Sequence, residues 1–398
     1  MRDIAVKMLL HDRAKSIGLL MGVAFTAFLV TFALSYFAGF MTRGFALIAE
    51  NPSADIWVMD PAVSSVEQTI NLPDSALERV RSVTGVVAAM PLGLASVEAR
   101  LPNGAFQSFQ LIGVDDATLS GAPVLTGRHP AHPLYLADSV IVDPGGTSGK
   151  LLTPARPQDQ WPHDGVHLGV PLRLLRQGDE LLVNERRVVV AGDSHTLPRF
   201  PPRPLMYTRF ANLSRLQPGD ARHLTFIMVT ARAGVNRQQL ANRITRRTGL
   251  RARTARDFKT DTVKWYLVNS EDVGDMSAML ILAMTVGFGV TGIMLYMFTY
   301  ENVKQYAVFK ALGASSVMLA GMVFIQAILC ALLGTGLGVA ACALVGKLAA
   351  ALTAYPFRMM WFGPVIGALG VLIVSVTAAA LSLRPVIRLD PAQVFAGR

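Results

Sequence analysis

Residues 16–42 have the sequence SIGLLMGVAFTAFLVTFALSYFAGFMT, a run without a single Asp, Glu, Lys or Arg. An α-helix rises about 1.5 Å per residue, so this run is long enough to cross a hydrocarbon layer about 30 Å thick. Three further uncharged stretches, each also long enough to cross such a layer, occupy 276–300, 311–346 and 359–383. The whole chain is only 16% charged, whereas about 25% is usual for a soluble domain. The pattern therefore predicts a membrane protein.

Four transmembrane helices are predicted from this pattern, over 16–42, 276–300, 317–346 and 359–383. The first stretch is too long to be the apolar core of a signal peptide, which has only about 7–15 residues, so it is predicted to remain as a true span. The third uncharged stretch is longer than a span requires. Its first residues, 311–316, are therefore predicted to lie outside the membrane.

The net charge of +10 would suit a nucleic-acid-binding protein. However, many basic residues lie in the segments that flank the predicted spans, where positive charge orients a membrane protein. The N-terminal arm, the loop after span two and the C-terminal tail together hold nine basic residues and four acidic ones. The loop between spans three and four holds only two basic residues. The positive-inside bias predicts the following topology: cytoplasmic termini (1–15 and 384–398), a periplasmic domain (43–275), a cytoplasmic segment (301–316) and a short periplasmic loop (347–358).

The periplasmic region, at 43–275, is long enough to bury its own core and is predicted to be mixed α/β. Alternating or β-branched runs predict strands at 54–59, 85–100 (as a strand pair), 106–114, 139–142, 181–190 (as a hairpin) and 224–230. Helices are predicted at 73–83 and 237–247, and as a continuous stalk over 257–275 that leads into span two. The fold class is thus an α+β membrane protein with four transmembrane helices and a large α/β domain between the first and second.

Residues 1–15 place Ile4, Ala5, Met8 and Leu9 on one helical face with charges opposite, which predicts an amphipathic elbow helix at the cytoplasmic surface. A disordered basic tail is the alternative.

The cysteines offer no covalent restraint, because Cys330 and Cys342 lie about 18 Å apart on the third predicted span, too far to pair.

The sequence contains no convincing catalytic or metal-binding motif. Residues 145–150, GGTSGK, resemble a phosphate-binding loop, but Pro144 and Leu151 stand where that motif needs Gly and Ser or Thr. His163 and His167 are four residues apart, as metal ligands on a helix would be, yet neighbouring Gly and Pro favour solvated loop residues. We therefore expect no metal and no cofactor bound by this chain.

Two glycines in the third predicted span, Gly334 and Gly338, lie four residues apart and so share one helix face. Small residues at this spacing let a neighbouring helix approach closely, within the subunit or across a dimer. The alternative is that membrane helices simply contain more glycine than soluble ones.

The segment 301–316, ENVKQYAVFKALGASS, joins spans two and three. It predicts a short cytoplasmic helix broken by Gly313, with Tyr306, Phe309 and Leu312 exposed to fit the groove of a partner. A plain interhelical loop is the alternative, but aromatic residues in so short a segment make it less favoured.

At this segment the sequence resembles a known family. Residues 310–315, KALGAS, look like the coupling segment of FtsX-like and MacB-like ABC permeases, and the tail 389–395, LDPAQVF, resembles the Asp-Pro-Ala ending of that family. The four-span layout is also the family's. The similarity is greatest to the DevC type, on residues 305–307, residues 54–58 and the ending Asp-Pro-x-x-Val-Phe. The family usually has an acidic residue where this chain has Gln305, so an expected charged contact is weaker or replaced.

The resemblance implies a permease of the bacterial inner membrane that couples ATP hydrolysis by a separate ATPase, which would bind the ATP and Mg²⁺, to motion of the periplasmic domain. It also implies a homodimer, an HlyD-like periplasmic adaptor, an outer-membrane channel and export of a lipid, glycolipid or other amphiphile. The residues expected to contact the ATPase are Gln305, Tyr306, Phe309, Lys310, Leu312, Gly313 and Ala314. An FtsX-like regulator of a cell-wall hydrolase and a lipoprotein-release permease are alternatives within the same superfamily. A conventional membrane receptor is a remote fourth reading.

Overall fold

The computed structural model describes residues 13–127, 132–147, 149–162, 165–166, 169–217, 223–353 and 355–387. The chain divides into two compact units, one formed by residues 1–40 with 271–398 and the other by residues 41–270. Most of the predicted elbow, the Asp-Pro-containing tail, His163 and His167 lie outside the described residues.

The described α-helices are, in chain order, α1 (Arg13–Gly44), α2 (Ala46–Ala49), α3 (Ser75–Arg81), α4 (Leu213–Leu216), α5 (Arg237–Thr248), α6 (Ala255–Asn269), α7 (Glu271–Glu301), α8 (Val303–Ala311), α9 (Ser316–Thr353) and α10 (Phe362–Ile387). The strands are β1 (Ile56–Met59), β2 (Val86–Arg100), β3 (Phe106–Val114), β4 (Ser139–Asp143), β5 (Leu152–Pro154), β6 (Leu172–Leu174), β7 (Glu180–Val183), β8 (Arg186–Asp193), β9 (Leu205–Arg209), β10 (Phe226–Ala231) and β11 (Arg251–Thr254). The order confirms an α/β-rich region between the first and second long helices.

Four helices in the described part of the chain, α1, α7, α9 and α10, are long and apolar enough to cross a membrane. They coincide with the four predicted spans. The predicted loop 347–358 is partly wrong, because α9 continues to Thr353. Residues 347–353 include three alanines and two leucines, which have high helix propensity, so the single charge of Lys347 does not end the helix.

Helix α1 packs against the other three long helices. The Thr26 hydroxyl lies 2.6 Å from the Gly287 carbonyl of α7 and 2.7 Å from the Thr291 hydroxyl. On α10, Gly367 leaves room for Thr31 of α1, since a Cβ there would lie 2.8 Å from the Thr31 hydroxyl oxygen. Helix α1 is therefore the central element of the helical unit.

The segment between α9 and α10 packs on α1 through aromatic rings. Tyr355 stacks on Tyr36 with the ring centroids 4.7 Å apart, and the ring centroid of Phe357 lies 5.8 Å from that of Phe32. The backbone N–H of Arg358 also donates to the Ser35 carbonyl at 3.1 Å. This connection is thus an ordered part of the helical unit.

The predicted continuous stalk over 257–275 is wrong. Helix α6 ends at Asn269, Ser270 has extended dihedral angles (φ −98°, ψ 122°), and α7 begins at Glu271. Asn and Ser compete with the helix for backbone hydrogen bonds, and the Asn269 side chain donates to the Trp265 carbonyl. Acidic residues then favour a new helix start at Glu271 and Asp272.

The 41–270 unit is built on a nine-stranded sheet with the strand order β11-β1-β10-β2-β3-β9-β4-β8-β7. Strand β7 also pairs with β2, through Ala99 with Val183 and Arg100 with Leu182, which closes six strands into a small barrel. The first half of β2 pairs with β10 and its second half with β3. Strand β2 therefore belongs both to the barrel and to an open four-stranded sheet.

The length of β2 corrects one prediction, since 85–100 was expected to form two strands. Pro91 lies inside β2, where proline usually interrupts a ladder. It is tolerated because this half of β2 has a neighbouring strand on one side only, with Pro91 opposite Ile227 of β10. The other predicted strands and helices are found, including the 181–190 hairpin and helix α5, which ends at Gly249 in the left-handed region (φ 72°).

The open sheet is covered on both faces, so alternate residues of one strand enter different cores. Trp57 packs on one face with Phe226 and Phe258, while Ile56 packs on the other with Leu240 and Ile244. A third core fills the barrel; it includes Val97, Phe109, Leu111, Val140, Leu181, Val190 and Met206. The unit thus has the continuous cores of an independently packed domain.

Candidate functional site

The segment predicted to bind a partner forms the short helix α8, which begins after Asn302. The Asn302 side-chain amide donates to the Phe298 carbonyl at 2.7 Å, and its backbone N–H donates to the same carbonyl at 3.3 Å. Asn302 thereby satisfies a carbonyl at the end of α7 that has no partner within the helix. The chain ends one helix and starts the next with little loss of backbone hydrogen bonding.

Helix α8 ends in a Schellman motif. Gly313 adopts φ 97°, its N–H donates to the Lys310 carbonyl at 3.1 Å, and the Ala314 N–H donates to the Phe309 carbonyl at 2.9 Å. Glycine is favoured at this position because residues with a side chain rarely adopt this backbone conformation. The Ser315 hydroxyl then accepts from the Met318 N–H at 3.3 Å and starts α9.

One side of α8 is buried in the helical unit. Tyr306 and Ala307 are fully buried, and Phe309 packs against the same apolar core. The Tyr306 hydroxyl donates to the side-chain oxygen of Gln326 on α9 at 2.8 Å. Burial raises the pKa of the Tyr306 hydroxyl, so it stays protonated as a donor at neutral pH. The prediction that Tyr306 is exposed is therefore wrong, because its ring is buried in the apolar core of the helical unit.

The opposite side of α8 is exposed. Five residues with the helical spacing i, i+1, i+4, i+7 and i+8 share it, and we call them the exposed stripe: Lys304, Gln305, Val308, Ala311 and Leu312. Leu312 is 79% exposed and Val308 is 43% exposed. Exposed aliphatic side chains beside Lys304 and Gln305 form a surface suited to contact with another protein.

The seven residues predicted to contact a partner therefore differ in their exposure to solvent. Gln305, Leu312 and Gly313 are exposed, whereas Phe309, Lys310 and Ala314 are half-buried and Tyr306 is buried. The five residues of the exposed stripe follow a helical period. This spacing would have indicated Lys304 and Val308 as further members of the exposed side of the helix. No sequence signal identified Gln326, because it contacts Tyr306 from a different helix.

Gly334 and Gly338 both face α1. A Cβ at Gly334 would lie 2.6 Å from Val23, and a Cβ at Gly338 would lie 2.3 Å from the Ala24 carbonyl oxygen. At Gly336, on another side of α9, a Cβ would meet nothing within 4 Å. The two glycines thus allow close backbone approach between α9 and α1 within one subunit.

The 41–270 unit contains a buried ion pair between Glu50 and Arg199, with Arg199 Nη2 2.6 Å from Glu50 Oε2. Arg199 also donates to the Tyr207 hydroxyl at 3.2 Å. Burial raises the pKa of Glu50, and the Arg199 charge opposes that shift only in part. Among the described residues, no group of three or more His, Cys, Asp or Glu side chains is placed to hold a metal ion.

Comparison with known families agrees with the layout of the helical unit. Residues 277–391 match the FtsX-like permease C-terminal domain. An ABC transporter permease of Mycobacterium tuberculosis, described as uncharacterized, is 26% identical over 338 residues in two strains, covering 83% of this chain and 80% of that protein.

Two solved structures are similar to part of the chain. The periplasmic region of MacB from Actinobacillus actinomycetemcomitans is 14% identical, with a TM-score of 0.36, over 57% of this chain and 96% of that one. The extracellular domain of the noncanonic ABC-type transporter YknZ from Gram-positive bacteria is 13% identical, with a TM-score of 0.32, over 50% of this chain and 99% of that one.

Together, the four apolar helices and the match over 277–391 make this chain similar to ABC transporter permeases of the FtsX type. The resemblance to FtsX-like permeases is confirmed, and assignment to the DevC subtype stays a prediction. This similarity indicates a membrane-embedded permease subunit and implies an ATPase partner.

Proposed function

We propose that this chain is the membrane subunit of a mechanotransmission complex, in which a separate ATPase binds the exposed stripe of α8 and moves the spans. The observation that carries the proposal is the two-sided character of α8. One side offers Leu312 and Val308 to a partner, while the other side is fixed to α9 through Tyr306 and Gln326. A force applied to such a helix is transmitted to the bundle, because a packed interior deforms little.

The direction of transmission follows from chain connectivity. Helix α8 directly follows α7, and α7 directly follows the 41–270 unit in sequence. Motion of the spans would therefore reach that unit through the ends of α1 and α7. Ser270, which interrupts the predicted stalk, is the one extended residue between α6 and α7 and would absorb part of the change in backbone angles.

The proposal includes a topology and a set of partners. The distribution of basic residues favours cytoplasmic termini and a cytoplasmic α8, with the 41–270 unit in the periplasm. ATP and Mg²⁺ would be bound by the ATPase alone. A second copy of the permease, an HlyD-like adaptor and an outer-membrane channel complete the complex, with a lipid, glycolipid or other amphiphile as cargo; these rest on the family resemblance.

Replacement of Leu312 by Asp tests the contact with the ATPase. The side chain is exposed, so the variant is expected to fold, yet a buried interfacial charge would oppose binding of the partner. We expect co-purification of the ATPase with the permease to fall at least tenfold. Val124→Asp is the matched control, since Val124 is 88% exposed in the 41–270 unit. Equal amounts of ATPase bound to Leu312→Asp and to the control would contradict the proposal.

A thiol at position 315 tests the topology. The native cysteines, Cys330 and Cys342, are both buried, so Ser315→Cys supplies the accessible thiol. A membrane-impermeant maleimide is expected to label it only after the cells are permeabilised. Labelling in intact cells would place α8 outside and remove the basis for contact with a cytoplasmic ATPase.

A further inference from the structure

A basic cleft of about 200 Å³ lies at one end of the barrel in the 41–270 unit. It is bordered by the starts of the parallel strands β4 and β8 and by the end of β9, which runs antiparallel to β4. The short α4 segment after β9 completes the wall. The cleft therefore depends on the pairing of β4 with both β8 and β9, which brings together chain segments that are distant in sequence.

Three arginines line the cleft, Arg186, Arg187 and Arg215, against one carboxylate, Asp138. Arg187 is paired with Glu180, its Nη1 3.1 Å from Glu180 Oε2. Within the described residues, neither Arg186 nor Arg215 takes part in an ion pair. The cleft thus has an excess of positive charge, and two of its guanidinium groups keep their hydrogen-bond donors available.

Part of the lining of the cleft is polar and buried. Asn212 is 5% exposed, and its side-chain amide donates to the Thr208 hydroxyl at 3.1 Å. The Thr208 hydroxyl in turn donates to the Ser139 carbonyl at 3.2 Å. These bonds fix one amide hydrogen of Asn212, while no acceptor is described for the other. A neutral donor in a fixed position therefore lines the cleft together with the arginines.

We infer that this cleft binds an anionic group, a phosphate or a carboxylate, carried by a ligand of the 41–270 unit. Guanidinium groups present planar sets of N–H donors that match the oxygens of these anions. The volume is below the roughly 300–1,000 Å³ of sites for drug-sized molecules, so the cleft accommodates a headgroup rather than an entire amphiphile. The inference does not depend on ATPase binding at α8, since it concerns only residues of the 41–270 unit.

Calorimetric titration of the full-length protein in nanodiscs of zwitterionic lipid tests the site. One arm uses inorganic phosphate and a second uses dihexanoyl phosphatidic acid below its micelle concentration. Both ligands carry the same phosphate chemistry. Stronger binding of the lipid would identify a lipid headgroup as the source of the anion, and equal binding would identify a free phosphate. Either outcome, if saturable, supports the site.

The variant Arg186→Gln/Arg215→Gln is expected to weaken binding by about tenfold or more for each arginine lost, with no change in thermal stability. The matched control is Arg247→Gln, which removes an exposed arginine of α5 that lies outside the cleft. Absence of saturable binding by the unmodified protein would overturn the inference. So would equal affinities of the double variant and the control for inorganic phosphate.

Discussion

The Tyr306 hydroxyl of α8 donates a 2.8 Å hydrogen bond to the Gln326 side chain of α9, which joins these two consecutive helices. Both side chains are buried, Tyr306 completely and Gln326 with 3% exposed. A hydrogen bond between buried groups fixes their relative position, because no water competes for it. Tyr306 is therefore better described as a positioning residue for α8 than as part of a partner-binding surface.

Tyr306→Phe is expected to retain the packing of the ring and to remove only this bond. Loss of a partner for a buried polar group costs about 1–3 kcal/mol. The melting temperature of the detergent-solubilised permease should fall, and stimulation of the partner ATPase should weaken while its binding remains. Tyr300→Phe, at an exposed ring that stacks on Tyr296, is the control. Equal melting temperatures for the two variants would contradict this role.

Gly338→Ala is expected to separate α9 from α1. The new Cβ would lie 2.3 Å from the Ala24 carbonyl oxygen, which is backbone and moves only with the helix. Overpacking of this kind costs about 1–3 kcal/mol. Gly336→Ala is the matched control, with nothing within 4 Å of its Cβ. It should be neutral or stabilise by up to about 1 kcal/mol through helix propensity. Thermal unfolding of both variants in the same detergent provides the measurement.

Glu50→Ala is expected to be strongly destabilising. It would leave the charge of Arg199, which is 4% exposed, buried and without its carboxylate partner. Breaking a buried pair in this way costs about 3–5 kcal/mol. Glu78→Ala breaks an exposed ion pair with Arg81 in α3 and should cost less than about 1 kcal/mol. Similar losses of stability in the two variants would show that burial of Arg199 has no energetic consequence.

The stability contributed by Asp261 should depend on pH. Burial alone would raise the pKa of this carboxyl, but hydrogen bonds from Arg253 and Arg251 lower it below its ordinary value. A lowered pKa in the folded state means that the stabilisation is present above the unfolded pKa of about 4 and is lost as the pH falls through the folded pKa.

The destabilisation caused by Asp261→Asn should therefore be full at pH 7, about 1–3 kcal/mol, and should shrink as the pH falls below about 4. Melting temperatures across this range, compared with those of the unmodified protein, measure the effect. Asp74→Asn removes an exposed carboxylate that has no ion pair in the described structure, and it should change the melting temperature little at pH 7. A constant difference for Asp261→Asn at every pH would count against the assignment.

Most of the strand and helix predictions succeeded where local signals agreed. The strand at 106–114, the 181–190 hairpin and the helix before Gly249 follow from residue alternation and turn chemistry, which act over a few residues. The predictions failed where pairing with residues distant in sequence determines the local structure. Residues 85–100 were expected to form a strand pair, but β10 and β3 pair with different halves of one long strand.

The sequence by itself determined the number and position of the long apolar helices, because a long uncharged apolar run has few stable alternatives to a membrane span. It also determined that a short helix lies between 301 and 316. Only the tertiary structure decided which side of that helix is exposed, since burial of Tyr306 depends on Gln326, a residue of the next span. Likewise, the basic cleft exists only because β4 pairs with both β8 and β9, which brings Arg186 and Arg215 to one site, and contacts between such distant segments leave no periodic signal in the chain.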